Sequence, residues 1–331
     1  MATTRFPRSM CQGKLKWLVV AGVFAVMAAA CGDTAKVITT TAPPVAPPET
    51  GALQPPTTTA PQVPTTTAAE ARAIELTRDI AYSGVMQLDV YAPSEPGPWP
   101  VVIAVHGYGG SRDDFAGAEF AEVEGLAEAI ASEGAVVFNL DVTMIEPFLT
   151  AIEQVACAVR FARATAAGYG GDPTSITLVG GSGGAAAAAV VALAGDDYGG
   201  DCAVTDGSAL PDALVGYEGP YDWAIRVYDP ELLDPRLLEV ENPELLEAIN
   251  PYSHIGDNPN VVFRLIHGID VDETVFDVPP EVSTEFYQTL TDAGYDVELT
   301  LLEGASHFDF LSYTQEAFEV TLQQVLEAAR R

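Results

Sequence analysis

The sequence predicts an α/β fold: a mainly parallel central sheet with helices on both faces and a small helical excursion near one edge. Two observations carry this. Short continuous apolar runs, such as "WPVVIAVHG" (99–107) and "GAVVFNLDV" (134–142), have the length and composition of strands buried on both faces. They alternate with segments of helical periodicity, and that alternation is the signature of a parallel sheet wrapped by crossover helices. Residues 72–331 are also numerous enough for one large single-core domain.

In chain order, "MQLDVYAP" (86–93) alternates like a strand, and 99–107 follows as a buried one. Residues 120–133, rich in Ala, Leu and Glu, are predicted helical. The strand at 134–142 leads to a long helix over 145–167, where Ile152, Val155, Ala156, Val159 and Phe161 mark one apolar face. "SITLVGG" (175–181) is a strand and 185–194 a helix. Further strands are expected at 212–219, 260–268 and 296–304, with helices at 278–293 and 314–330. Residues 221–259, with several prolines and Leu-Leu pairs, break the alternation and read as a cap-like insertion of short helices.

The N-terminal part has a different character. Residues 1–31 carry Arg5, Arg8, Lys14 and Lys16 before an apolar run from Trp17 to Ala30, the layout of an export signal. The run ends Ala28-Ala29-Ala30-Cys31-Gly32, which resembles a bacterial lipobox and marks Cys31 as the candidate for lipidation. Residues 32–71 are rich in Pro and Thr and poor in large apolar side chains, so a semi-stiff disordered spacer is expected there. The expected organisation is a signal (1–31), a linker (32–71) and a folded domain (72–331), exported and tethered to the membrane through the lipid alone.

The chain has 47 acidic and 15 basic side chains, a formal net charge of −32, and four of the basic ones lie in the leader. Such a charge argues against nucleic acid and anionic membrane surfaces as partners. Cys157 and Cys202 are the two cysteines of the folded part. In an oxidising compartment they are expected to form a disulfide; two buried thiols are the alternative. The acidic stretch "GDDYGGD" (195–201) lacks the ligand spacing of a calcium loop.

Chemistry concentrates at the carboxyl ends of the strands, where open parallel sheets place their sites. The stretch Gly180-Gly181-Ser182-Gly183-Gly184 fits G-x-S-x-G between a strand and a helix. Such a turn lifts a serine hydroxyl above the sheet, and the N–H of Gly183 at the helix start faces a developing oxyanion. A serine nucleophile needs a base. Of the four histidines, His307 in "LLEGASHFDF" follows the last strand and precedes the last helix, from where it reaches Ser182. An orienting carboxylate is offered between them by Asp270, Asp272 and Glu273 in "IDVDETV".

With these motifs in hand, residues 80–331 resemble the α/β-hydrolases, most closely the esterase/lipase and dienelactone-hydrolase-like branches. The resemblance rests on "LDVYAP", "VVIAVHGYGG", "YGGDPTSITLVGGSGG", "VVFRLIHGIDVDETV" and "LLEGASHFDF". It implies the order Ser182, Asp272, His307, with Asp272 preferred over Asp270 because Asp272-Glu273-Thr274-Val275 matches the family's Asp-x-x-Val. It also implies that "HGYGG" (106–110) is the first oxyanion loop, with the backbone N–H of Tyr108, or of Gly107, as second donor. Gly181 and Gly183 replace larger residues common in the family and are expected to leave the site roomier near the serine. Tyr108, Tyr221 and Trp223 are the candidate substrate-binding aromatics. The implied activity is cofactor-free and metal-free hydrolysis of a small-molecule or polymeric ester. A peptidase of the same fold and a non-catalytic binding lipoprotein are the alternatives.

Overall fold

The computed structural model describes residues 72–116, 125–144, 148–222, 243–269, 278–311 and 315–331. Eight strands form one sheet: β1 (Ile74–Ser83), β2 (Met86–Pro93), β3 (Trp99–Val105), β4 (Val136–Leu140), β5 (Gly171–Gly181), β6 (Ala213–Tyr217), β7 (Val262–Gly268) and β8 (Val297–Leu302). Their order is β1-β2-β4-β3-β5-β6-β7-β8. β1 and β2 pair antiparallel, as do β2 and β4, and every other neighbouring pair is parallel. The chain winds outward from β3 to one edge and from β5 to the other. The strand order therefore reverses between β3 and β5, the point at which open sheets of this kind place their sites at the strands' carboxyl ends.

The helices among the described residues are α1 (Asp113–Ala116), α2 (Leu126–Ser132), α3 (Phe148–Thr165), α4 (Gly183–Ala194), α5 (Pro243–Ile249), α6 (Pro280–Asp292) and α7 (Glu316–Ala329). Two apolar layers sandwich the sheet. In β3, Val101, Ile103 and Val105 enter the layer shared with α3, α4 and α6, while Val102 and Ala104 enter the layer shared with α2 and α7. This is the period-2 alternation of a strand covered on both sides. All twelve residues of α4 are buried, and its run of alanines lets it lie close against the sheet.

The predicted elements reappear with shifted ends. β2 matches its expected span, β5 begins earlier, at Gly171, and α4 begins at Gly183 directly after the serine. The predicted helix over 120–133 is described only as α2, since 117–124 lie outside the described residues. β1 was not anticipated. Its run "IELTRDIAYS" is mostly exposed at the sheet edge, so it carries no buried alternation to betray it. Of the expected insertion, α5 and a following turn (Pro251–His254) are described, and residues 223–242 are not. A disulfide joins Cys157 in α3 to Cys202.

Candidate active site

Ser182 stands between β5 and α4 with φ 53° and ψ −128°. That left-handed conformation is strained for a residue with a side chain, and it is what a sharp strand-to-helix turn imposes. The glycines around it are dictated by close approach. A Cβ on Gly184 would lie 2.2 Å from the Val105 carbonyl oxygen and 2.5 Å from that of His106. The start of α4 is thus pressed against the end of β3, which brings the loop after β3 to the serine.

That loop carries His106 to Gly110. A Cβ on Gly107 would sit 3.1 Å from the Ser182 Cβ, and one on Gly183 would sit 3.5 Å from the Tyr108 nitrogen. The backbone of Tyr108 and the amino end of α4 are therefore neighbours at the serine, the relation an oxyanion pocket requires. The His106 Nε2 accepts the Val142 N–H at 3.1 Å, so its proton is on Nδ1, which donates to the Gly107 carbonyl at 2.9 Å. The far end of the loop is held by Arg112. Its guanidinium contacts Asp79 at 2.5 Å, Asp89 at 2.9 Å and Asp141 at 3.4 Å, and the backbone N–H of Arg112 donates to Asp141 at 3.0 Å. Burial works against the charge of Arg112, but these acidic partners outweigh it and push its pKa up. The anchoring role of Arg112 was not read from the sequence, since its three partners lie on β1, on β2 and just after β4.

His307 is buried after β8. The turn that carries it is pinned from two sides: the Tyr217 hydroxyl donates to the Ser306 carbonyl at 2.9 Å, and the Ser306 N–H donates to Asp309 at 2.8 Å. Burial, with Glu218 and Asp309 nearby, pushes the Tyr217 hydroxyl well up, so it stays a donor. The Nδ1 of His307 donates to the Glu218 carboxylate at 2.5 Å, which makes Nε2 the accepting nitrogen of the ring. Glu218 follows β6 directly and did not figure among the sequence-derived candidates. The signal for it was a carboxylate at the carboxyl end of the apolar run "DALVGYEG". The expected acids Asp270 and Asp272 lie outside the described residues, as does Trp223.

The remaining histidines are engaged in structure. His267 is buried in β7 between the Ser283 hydroxyl at 2.7 Å and the Val278 carbonyl at 2.8 Å. His254 lies 3.0 Å from the Tyr198 hydroxyl.

Two expectations about the walls change. Gly181 does not leave open space: a Cβ there would lie 2.1 Å from Phe310, whose ring stacks on Tyr217 at 4.5 Å and fills the position. Tyr221 has no exposed surface and stacks on Phe286 at 4.3 Å, so its ring packs in the core instead of lining a wall. Tyr108 is 57% exposed, and Phe308, next to His307, is 56% exposed. These two open aromatics belong to the loop after β3 and to the turn that carries His307.

A mostly parallel eight-stranded sheet covered by helices on both faces, with a serine in a sharp turn after β5, a glycine-rich loop after β3 and a buried histidine after β8, has the α/β-hydrolase fold. The chain belongs to the BD-FAE family, whose model matches residues 88–290, more than half of its length. It is 33% identical over 150 residues to Esterase LipQ of Mycobacterium tuberculosis, a match that covers 43% of this chain and about a third (34%) of that relative's length. Among solved structures it is similar to esterase 2 of Thermogutta terrifontis, with a TM-score of 0.58 at 22% identity over 78% of this chain and 94% of that one. It is also similar to a truncated carbohydrate esterase from gut microbiota, with a TM-score of 0.59 at 20% identity over 80% and 99% of the two chains.

Proposed function

We propose that the protein is a serine hydrolase of carboxylic esters. The observation that carries this reading is the conjunction of Ser182, strained at the elbow, with Tyr108 and Gly183 backbone groups beside it and a tautomer-fixed His307 on the same end of the sheet. The name of the mycobacterial relative points the same way.

In this reading the Ser182 Oγ attacks the ester carbonyl carbon while His307 Nε2 takes its proton. The carbonyl oxygen becomes an oxyanion held by the N–H groups of Tyr108 and Gly183. One such donor contributes about 3–4 kcal/mol to the transition state. Collapse of the tetrahedral intermediate breaks the bond to the alkoxy oxygen, which leaves with the proton from His307. Water then attacks the acyl-enzyme, gives a proton to His307 and releases the acid, and Ser182 regains its proton. A carboxylate at His307 Nδ1 fixes the reactive tautomer throughout. Tyr108, half exposed beside the acyl position, forms one substrate wall.

The test is turnover of p-nitrophenyl acetate, butyrate and octanoate by the folded part, beside S182A. Saturable hydrolysis abolished by the substitution supports the reading. Equal slow release from both proteins would refute it in favour of a peptidase or a binding protein.

We further propose that the domain is exported and tethered through Cys31. Metabolic labelling with a radioactive fatty acid should mark the full chain and fail to mark C31A; labelling of neither would leave a secreted or unprocessed form.

A further inference from the structure

We propose that Glu218, at the end of β6, is the positioning carboxylate for His307, in place of an aspartate from the segment after β7. The inference deepens the esterase reading and rests on it only for its kinetic test.

Four observations converge on Glu218. Its carboxylate is 1% exposed, and both oxygens are engaged: Oε2 with His307 Nδ1 at 2.5 Å and Oε1 with the Gly268 N–H at 2.9 Å. A buried carboxylate held by two donors is oriented in one direction. Its backbone takes φ 45°, a region that disfavours a side chain, and non-glycine strain of this kind clusters at functional sites. The neighbouring structure is cut to fit it. A Cβ on Gly268 would meet Glu218 Oε1 at 2.7 Å and the Ala305 carbonyl oxygen at 2.3 Å, so the carboxyl end of β7 is bare where both groups stand. Finally, Tyr217 and Glu218 together tie the site: the Tyr217 carbonyl accepts the Ser182 N–H at 2.9 Å, its hydroxyl holds the Ser306 carbonyl, and Glu218 holds the imidazole. A two-residue segment thus registers nucleophile against base.

With Glu218 on Nδ1, the single ring proton on that side is already donated. On this proposal Asp270 and Asp272 are not required to hold the imidazole.

The experiment compares E218Q, D270N and D272N with the wild type in the full folded part. Glutamine keeps the shape and can still accept from Gly268, so the charge is removed without a cavity. E218Q should lose about 100- to 10,000-fold in kcat on p-nitrophenyl butyrate with KM and melting temperature little changed. D270N and D272N should stay within a few-fold of wild type. A second measurement is independent of turnover: the far-downfield proton resonance of an imidazole N–H bonded to a carboxylate should survive in D270N and D272N and vanish in E218Q. Loss of activity and of that resonance in D270N or D272N, with E218Q retaining both, overturns the proposal. If the wild type hydrolyses no ester, the esterase reading fails and the resonance alone decides the role of Glu218.

Discussion

Replacing Gly268 by alanine strikes the His307 support without touching a reacting group. The added Cβ would lie 2.3 Å from the Ala305 carbonyl oxygen, 2.7 Å from its carbonyl carbon and 2.7 Å from Glu218 Oε1. Since Cβ contacts under 3.0 Å essentially do not occur, the backbone at Ala305 must retreat by about 0.7 Å or Glu218 must leave its place. Neither is a flexible side-chain tip: Ala305 is two residues before His307, and Glu218 is held at both oxygens. Overpacking of this kind costs about 1–3 kcal/mol, which in a domain of this size lowers the melting temperature by roughly 2–12 °C. A displacement approaching 1 Å in a catalytic constellation costs up to about 100-fold in rate. G268A should therefore lose roughly 10- to 100-fold in kcat on p-nitrophenyl butyrate and melt earlier. G168A is the control, because a Cβ there meets nothing within 4 Å, and it should match the wild type in both measurements. Wild-type kcat and melting temperature in G268A would refute the argument that Gly268 is bare to admit Glu218.

Other expectations follow from the same geometry. Y108G removes an exposed ring beside the oxyanion loop and should raise KM for p-nitrophenyl butyrate by roughly 2- to 12-fold, with kcat within a few-fold, in steady-state assays. R112M releases the loop from Asp79, Asp89 and Asp141 and leaves a buried Asp89 with a weaker partner; kcat should fall more than KM rises, and the melting temperature should drop. C157S removes the link to Cys202 and should cost about 2–4 kcal/mol in denaturant unfolding, while alkylation of the unreduced wild type should label neither cysteine. Burial opposes the charge of Asp296, but Arg264 and Arg331 outweigh it and hold its pKa below the usual carboxylate range. The sign is that of a depressed acid. Its contribution is present above about pH 4 and lost as pH falls further, so wild type and D296N should differ above pH 5 and converge in acid, by no more than about 1 kcal/mol.

The sheet was legible because its inner strands are buried on both faces and so read as unbroken apolar runs. β1 escaped because an edge strand with charged, exposed positions has no such run. Ser182 and His307 stood out in the sequence because each follows a strand in a motif with its own local chemistry, and the structure keeps both at the carboxyl ends of their strands. Glu218 left only the mark of a carboxylate at the end of an apolar run, because its contact with His307 depends on the register of β6 beside β5 and β7, which that local mark does not record. The space at Gly181 was misjudged for the same reason: the ring that fills it, Phe310, is far away in the chain. Tyr221 carried the marks of a pocket aromatic, yet the bare positions at Gly216 and Gly219 draw it into the core, where a Cβ on either would meet it at 2.2 and 2.5 Å.

The proposed mechanism requires Ser182 to be the nucleophile. Mixing the folded part with a slowly deacylated p-nitrophenyl ester and quenching in acid should give a burst of one equivalent of p-nitrophenol. Mass analysis should place one acyl group on the peptide containing Ser182, with no adduct in S182A. An adduct on another residue, or a burst that S182A retains, would contradict it.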